Sequence, residues 1–342
     1  MKKKFTCPYC YGEHDWETCV KQESETNWEV YCPVVKREIP VEFLAIKTKA
    51  KIALVGARYT GKSNYIGVLV NEIQKKMAPS FNCIFSKRTS EESAYFYDSY
   101  YYDRLYKWKR VMPCGAKCFQ ASMIFPLSFL TRRNRIKQTA WLTFHDDNYV
   151  SGSWYDDEET ELLDSYLSNA NGIIFLLDPL QVPAIREKLE GRIYLPYENQ
   201  DGVELLERLI RALRENQKIK PNKQINTPLA IVFTKMDVLY NHKDLFPAET
   251  LGKESEHLSR GVFVESDHKE VELEIRDLLE NWGDGELKQL LHNFSNYAFF
   301  GVSALGNEPV GGNIPNGIQP KRVLDPLLWL LAEKKLIKRV KK

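Results

Sequence analysis

Long apolar runs are missing from this sequence. No window comes near the roughly 18 consecutive apolar residues that a transmembrane helix needs, so a membrane span is not expected. The basic start, residues 1–7, has no apolar stretch after it, so the sequence predicts a cytoplasmic protein without a signal peptide. An excess of one charge is missing too. The net charge of +2 gives no reason to expect a polyanionic partner on bulk charge alone.

Cysteine is the exception, with seven residues in the chain. Disulfides are rare in the cytosol, so these thiols are expected to bind metal or to be buried. Cys7 and Cys10 form a C-x-x-C pair, which is typical of a zinc knuckle. Cys19 and Cys32 are the predicted second pair, and His14 is the alternative ligand. A four-ligand site is closed, so the predicted zinc is structural; the alternative is four reduced thiols without metal.

The segment Gly56–Ser63, GARYTGKS, has the spacing G-x-x-x-x-G-K-[ST]. An apolar run of strand type precedes it and a helical pattern follows, which is the context of a phosphate-binding P-loop and not of an ordinary glycine turn. Lys62 is expected to reach the β- and γ-phosphates and to be catalytic, and the Ser63 hydroxyl to ligate Mg²⁺. The predicted phosphate-binding residues are Gly56, Arg58, Tyr59, Thr60, Gly61, Lys62, Ser63 and Asn64.

A predicted hairpin pairs residues 119–127 with residues 140–145. The second run ends at Asp146. An aspartate at the end of an apolar strand that follows a P-loop is the Walker B arrangement, in which the carboxylate holds Mg²⁺ through water. Asp146 is therefore the predicted second magnesium residue and catalytic group.

Three more apolar runs predict strands, at residues 172–177, 227–233 and 298–302. Helical patterns separate them. Strands that alternate with helices predict an α/β fold with a doubly wound sheet. The hairpin makes this sheet mixed but mostly parallel, with helices on both faces and the site at the carboxyl edge.

Polar motifs follow two of these strands: Thr234-Lys235-Met236-Asp237 and Ser303-Ala304-Leu305. With the P-loop, these motifs resemble, in kind and in order, those of TRAFAC-type P-loop GTPases, namely the Ras-like and translation-factor-like G domains. An aspartate can accept hydrogen bonds from guanine N1–H and the 2-amino group, which adenine cannot offer. The resemblance implies that the Lys235 stem covers the base and that the Ala304 amide donates to O6. The predicted base-reading residues are Thr234, Lys235, Asp237, Ser303, Ala304 and Leu305.

A closer resemblance is to the bacterial double-GTPase-like proteins that carry a cysteine ribbon before the G domain. The run Gly172–Pro179 and the ending Val323–Leu331 are similar to that branch. With the nucleotide motifs, the resemblance covers residues 1–335 in pieces. It implies protein partners encoded nearby and a role in bacterial antiviral defence.

The chain departs from the family after the magnesium strand. GTPases usually carry D-x-x-G there, but Tyr149 stands where that glycine would be, and no glutamine follows nearby. The sequence therefore predicts nucleotide binding, with slow hydrolysis, hydrolysis activated by a partner, or use as a GTP-locked switch as the open alternatives. Arg58 could supply an arginine in cis, although loop arginines usually face solvent.

Three parts are predicted: a zinc-ribbon-like module at 1–40, a GTPase domain at 41–335 and a basic tail at 336–342. An aromatic-rich insertion at 81–117 mixes tyrosines with basic and acidic residues. Stacking on nucleic acid is one interpretation, and core packing or protein contact is favoured because of the acidic groups. The tail is expected to be a solvated helix end.

The predicted function is therefore a guanine-nucleotide-binding, magnesium-dependent switch that regulates a partner protein. Two alternatives remain open from the sequence. In one, the chain is a zinc-ribbon adaptor that binds nucleic acid or protein, with nucleotide as a structural part. In the other, it is an ATP-using P-loop NTPase.

Overall fold

The computed structural model describes residues 4–10, 12–15, 17, 19–23, 28–34, 36–39, 50–57, 59–87, 91–113, 122–145, 166–197, 201–246, 250–282 and 285–342. The strands are β1 Lys4–Thr6, β2 Glu13–Asp15, β3 Val20–Glu23, β4 Trp28–Tyr31, β5 Ala50–Gly56, β6 Cys83–Phe85, β7 Ser122–Leu130, β8 Ile136–His145, β9 Gly172–Leu177, β10 Leu229–Phe233, β11 Phe263–Val264, β12 Tyr297–Gly301 and β13 Arg339–Val340.

The helices are α1 Lys62–Glu72, α2 Glu91–Phe96, α3 Pro183–Leu189, α4 Asp201–Asn216, α5 Asp237–Asn241, α6 His257–Arg260, α7 Glu265–Trp282, α8 Gly285–Leu291 and α9 Asp325–Glu333. Two of them continue as wider, π-type turns: α1 through Ile73–Met77 to a last turn at Ala78–Ser80, and α2 through Tyr97–Lys107. None of the described helices is both long and apolar enough to cross a bilayer.

Seven strands form the central sheet in the order β12-β10-β9-β5-β8-β7-β6. The five strands from β12 to β8 run parallel, while β7 and β6 are antiparallel to their neighbours. The predicted mixed, mostly parallel sheet and the β7–β8 hairpin are confirmed. Because parallel strands end at one edge, the residues after β5, β9, β10 and β12 are brought together there.

Side chains on β5 alternate between two cores, one on each face of the sheet. Ile52 and Leu54 join the core under α1 and α9, whereas Ala53 and Val55 join the core under α3, α4 and α7. All four are fully buried. This is the continuous apolar pattern of a strand covered on both faces, and it fixes the loop after Gly56 between two packed layers.

The aromatic segment is built into the fold. β6 extends the sheet at its edge beside β7, a strand that the sequence did not indicate. Tyr97, Tyr101 and Leu105 are buried against α1, and the Tyr97 hydroxyl donates to the Gly67 carbonyl at 2.7 Å. A side chain at Gly67 would meet Leu105 at 2.5 Å. Most of the aromatic content of this segment therefore serves core packing, as the favoured interpretation had it.

The basic tail differs from the expectation. α9 ends at Glu333, and Arg339–Val340 then form β13, which pairs in parallel with Phe263–Val264. The Arg339 guanidinium lies 5.4 Å from the centroid of the Phe263 ring. The tail is thus a short strand and not a solvated helix end. Its partner lies more than seventy residues earlier in the chain, so no local pattern could indicate the pairing.

A buried ion network fixes the chain between β12 and α9. The Arg322 guanidinium donates to both oxygens of Asp267, at 2.8 and 3.0 Å, and to Asp325 at 2.9 Å. Burial opposes ionisation of Asp267, but the Arg322 hydrogen bonds outweigh it and lower the pKa of that carboxyl. Next to this network, the Val323 carbonyl accepts from the Tyr65 hydroxyl of α1 at 2.9 Å, and Ser303 and Lys321 exchange backbone hydrogen bonds.

Candidate nucleotide and metal sites

The loop between β5 and α1 turns tightly at two positions. Tyr59 and Gly61 have φ of +62° and +79°, and Gly61 caps α1, whose first residue is Lys62. A Cβ on Gly56 would lie 2.8 Å from Leu176 and 3.0 Å from the Thr60 hydroxyl, so only glycine fits there. The first amides of a helix have no partner within it. The loop therefore leads into a helix N-terminus, a position at which proteins commonly bind anions, and α1 begins there with Lys62 and Ser63.

The residues of this loop line one cavity of about 450 Å³ at the carboxyl edge of the sheet. Pockets of about 300–1,000 Å³ are typical of small-molecule and cofactor sites. The same cavity is lined by residues that follow β10 and β12, so the structure brings the two predicted base-reading motifs to the predicted phosphate loop. The sequence-predicted residues that line it are Tyr59, Thr60, Gly61, Lys62, Ser63, Asn64, Thr234, Lys235, Asp237, Ala304 and Leu305.

Thr234 connects the loop to the sheet. Its hydroxyl lies 2.6 Å from the Thr60 carbonyl and 3.1 Å from the Leu177 carbonyl. The Thr60 hydroxyl in turn donates to the Ala57 carbonyl at 2.9 Å. Thr234 was predicted as a base-reading residue, but its hydroxyl is directed to backbone carbonyls. Its position suits holding the phosphate loop in shape.

Asp237, the first residue of α5, also lines the cavity. The Ser303 hydroxyl donates to Asp237 Oδ1 at 2.6 Å, and the Gly306 amide donates to the Ser303 oxygen at 2.8 Å. Only 6% of Asp237 is exposed. Burial raises the pKa of this carboxyl, although the Ser303 hydrogen bond opposes the rise. Ser303 therefore orients a desolvated acceptor, and a ligand that donates hydrogen bonds would compensate its burial.

Lys235 lines the same cavity. Its Nζ contacts Asp178 Oδ2 at 2.6 Å, and its Cε would be 3.8 Å from a Cβ on Gly61. The aliphatic stem therefore passes beside the phosphate loop. Asp178, which was predicted only as the end of a strand, is 1% exposed at the side chain and holds this lysine. Asp146 is predicted because it is an acidic residue directly after an apolar strand. The same criterion also fits Asp178.

Several residues that line the cavity belong to no sequence motif. Met112 follows the aromatic helix, and its amide donates to Asn64 Oδ1 at 3.0 Å, which brings residues 111–113 to the cavity. Ile193, Tyr194 and Pro196 also line the cavity. The predicted magnesium residue Asp146 and the P-loop residue Arg58 lie outside the described residues, as does Tyr149, so their roles stay predictions.

Tyr59 yields a testable consequence of the loop geometry. A non-glycine residue at positive φ carries strain of about 1 kcal/mol, and 46% of the Tyr59 side chain is exposed, so little packing offsets it. We expect Tyr59→Gly to stabilise the nucleotide-free protein by up to about 1 kcal/mol in urea denaturation. Tyr95→Gly, an exposed site inside α2, is the matched control and should destabilise by about 1 kcal/mol. Equal losses of stability in Tyr59→Gly and Tyr95→Gly would show that the backbone at Tyr59 is not strained.

The N-terminal strands gather four side chains that could hold a metal ion. Ligand atoms of Cys7, Cys10, His14 and Cys32 all lie within 4.8 Å of one another. The Cys10 and Cys32 sulfurs are 3.6 Å apart, and His14 Nε2 is 3.0 Å from the first and 3.6 Å from the second. Tetrahedral zinc with Zn–S bonds of about 2.3 Å separates its sulfurs by about 3.8 Å. The donor set and its spacing thus fit a four-coordinate zinc site.

His14, the alternative fourth ligand, lies with the three cysteines in place of Cys19. Cys19 is not part of the group, and its sulfur lies 3.7 Å from the Asp15 carbonyl. The reason is the β1–β2 pairing, which sets His14 opposite Phe5 and returns its ring over the Cys7–Cys10 turn. The cysteine spacing along the chain favours Cys19 as the fourth ligand. The register of the β1–β2 hairpin instead brings His14 to the other three cysteines.

The two sulfur-bearing turns are supported by backbone hydrogen bonds. The Tyr9 amide donates to the Cys7 sulfur at 3.3 Å, and the Cys32 amide donates to the Arg37 carbonyl at 2.9 Å. Burial raises the pKa of the Cys7 thiol. The pKa of Cys10 is raised to about 11, mainly by the hydrogen bond with Cys32. Three thiols therefore crowd one another at a point where a dication would balance their thiolates.

This module packs directly on the central sheet. Cys7, Cys10 and Cys32 share a buried cluster with Ile124 of β7 and Trp141 of β8. Trp141 is fully buried. The module therefore covers the part of the hairpin that leads, through β8, to Asp146.

No family model matches the chain. Among curated proteins it is similar to the "Putative ESX-1 scaffolding and assembly protein SaeC" of Mycolicibacterium smegmatis, with 26% identity over 305 residues that cover 82% of this chain and 74% of that protein.

Similar solved structures include the Ski7 GTPase-like domain of S. cerevisiae bound to GTP, with 14% identity, a TM-score of 0.40 and 86% of this chain covered. This chain spans 52% of that one. The signal recognition particle receptor SRb-GTP/SRX complex of Chaetomium thermophilum is another, with 11% identity, a TM-score of 0.33 and coverage of 77% and 94%.

Proposed function

We propose that the cavity binds a guanine nucleotide, with its phosphates at the loop before α1 and its base at Asp237. The observation that carries this proposal is the pairing of Ser303 with Asp237, because it aims a buried carboxylate into a cavity whose other end is a phosphate loop. Guanine N1–H and the 2-amino group are two adjacent donors that match such an acceptor. Adenine offers an acceptor at N1, so the buried carboxylate would gain no donor from the base beyond the hydrogen bond that Ser303 already makes.

The remaining contacts support the same orientation. Lys62 is 6% exposed and lines the cavity at the start of α1, where an ammonium can neutralise phosphate oxygens. The Lys235 stem lies between the phosphate loop and Asp237, so it can cover one face of the base. Ala304 and Leu305 line the base end, where a backbone amide can donate to O6.

Magnesium fits the donors at the phosphate end. Ser63 lines the cavity and offers a hydroxyl oxygen, a hard ligand that Mg²⁺ accepts together with phosphate oxygens. When bound, the ion would neutralise charge on the phosphates. The chain's own part in hydrolysis is to position the phosphates through Lys62 and the loop amides, and we propose that hydrolysis is slow or partner-activated because the sequence has no D-x-x-G glycine after Asp146.

We further propose that zinc, held by Cys7, Cys10, His14 and Cys32, is a structural part of the N-terminal module. All four positions around the ion are filled by protein, so no open position is left for chemistry. The chain would then act as a nucleotide-dependent switch on a protein partner. The curated relative's description as a scaffolding and assembly protein supports a role directed at a protein partner.

Fluorescent GTP and GDP analogues test the phosphate end. Lys62→Ala should weaken binding of both nucleotides by about a hundredfold, the effect of losing a buried charged contact of about 3 kcal/mol. Lys76→Ala is the matched control, because Lys76 lies 48% exposed on the π-type extension of α1 and pairs only with Glu72 in the described contacts. Equal affinity in the wild-type protein and Lys62→Ala would contradict the assignment of the loop.

A further inference from the structure

Tyr194 stands at the mouth of the cavity with 88% of its side chain exposed. It belongs to the loop after α3, and Leu180, Ile193 and Pro196 from the same stretch line the cavity with it. A single exposed tyrosine ring is ordinary on a protein surface. Ligand cavities, however, are lined by aromatic side chains, and a bound ligand covers their rings.

The loop is anchored on both sides of this ring. The Arg192 guanidinium contacts Asp244 at 2.6 Å, and the Ile193 amide donates to the Leu189 carbonyl at 3.4 Å. On the other side, Gln181 Nε2 donates to the Tyr197 carbonyl at 3.2 Å. The contacts that hold the loop therefore come from its flanking residues, and the ring itself is left at the cavity mouth.

The anchors also indicate which end of the cavity the ring serves. Asp244 lies in the turn after α5, and α5 begins at Asp237. The Arg192–Asp244 contact therefore sets the loop beside the base end. Val238, the second residue of α5, lines the same cavity. The segment 178–197 follows β9, which lies between β5 and β10 in the sheet, so it is placed between the phosphate loop and the base-reading motif.

We propose that Tyr194 stacks on the purine ring of the bound nucleotide and closes the outer side of the base site. This inference rests on the proposed function and adds a base contact from a loop that carries no nucleotide motif. Stacking recognises the π-face of any base, so Tyr194 adds affinity without adding preference for guanine. The preference is set by Asp237.

The test compares dissociation constants of GDP and ADP for four proteins: wild type, Tyr194→Ala, Tyr194→Phe and Tyr197→Ala. Tyr197 is the matched control, because its side chain is 86% exposed in the same loop but does not line the cavity. We expect Tyr194→Ala to weaken GDP binding by about tenfold, as loss of one base–aromatic stack does. The phenylalanine variant and Tyr197→Ala should bind within about twofold of wild type.

Two further readings complete the test. The ratio of GDP to ADP affinity should be the same in Tyr194→Ala as in wild type, and the loss should appear as faster release of GDP. Wild-type affinity in Tyr194→Ala, or an equal loss in Tyr197→Ala, would overturn this inference alone. Failure of the wild-type protein to bind guanine nucleotide would overturn the proposed function together with it.

Discussion

Asp237→Asn is expected to weaken GDP binding by about a hundredfold, a loss of about 3 kcal/mol, since the acceptor loses its charge and the hydrogen bond from the 2-amino group is lost. The asparagine oxygen can still accept from guanine N1–H, but its amide nitrogen donates and therefore opposes the 2-amino group. Xanthine carries an oxygen in place of the 2-amino group. The variant should therefore gain affinity for xanthosine diphosphate. Titration calorimetry with GDP and with xanthosine diphosphate measures both affinities.

The same substitution should leave the empty protein at least as stable as wild type. Burial raises the pKa of Asp237 above that in the unfolded chain, so the native state holds the proton more tightly. At a pH above the raised pKa, the ionised carboxylate opposes folding, and asparagine removes that opposition while its oxygen can still accept from Ser303. Urea denaturation at neutral pH gives the comparison. A variant that loses both stability and GDP affinity would mean that Asp237 is a structural residue.

Cys32→Ser is expected to release the zinc and unfold the N-terminal module. Structural zinc contributes about 10–16 kcal/mol of apparent binding free energy in small zinc peptides, so losing one ligand removes most of what orders a segment this short. Cys32 is fully buried against Trp141, so its loss should also expose part of β7 and β8. Metal content of the purified protein, measured by mass spectrometry, gives the direct result: one zinc per chain in wild type and none in the variant.

The variants His14→Ala and Cys19→Ser test which residue is the fourth zinc ligand. The structure indicates His14, whereas the cysteine spacing predicts Cys19. His14→Ala should lose zinc as Cys32→Ser does, because its nitrogen completes the four donors. Cys19→Ser should keep the zinc, because its sulfur bonds to the Asp15 carbonyl outside the group. Zinc retained in His14→Ala and lost in Cys19→Ser would show that the ligand set is the one the spacing first suggested.

The sheet and the phosphate loop were predictable because their signals are local. Each parallel strand is an apolar run that ends in a motif, and parallel strands bring their ends to one edge whatever the helices between them do. The sequence alone therefore predicts that GARYTGKS, Asp237 and Ser303 lie near one another. The hairpin from β7 to β8 was predictable for the same reason, from two apolar runs around a polar turn.

The rest of the site depends on contacts between distant residues. The choice of His14 over Cys19 follows from the β1–β2 register, and the Lys235–Asp178 pair follows from the neighbouring positions of β9 and β10. Tyr194 reaches the cavity because Arg192 contacts Asp244, 52 residues later. Such contacts are set by tertiary packing, and no spacing or periodicity in the sequence encodes them.

A calorimetric titration of the wild-type protein with GDP and with ADP, each in the presence of Mg²⁺, tests the central claim most directly. The Ser303–Asp237 pair predicts saturable binding of GDP at one site per chain and affinity for ADP lower by about a hundredfold, because adenine supplies neither of the two base donors that guanine offers to the buried carboxylate. Equal or tighter binding of ADP would contradict the guanine assignment and leave only a phosphate-binding loop.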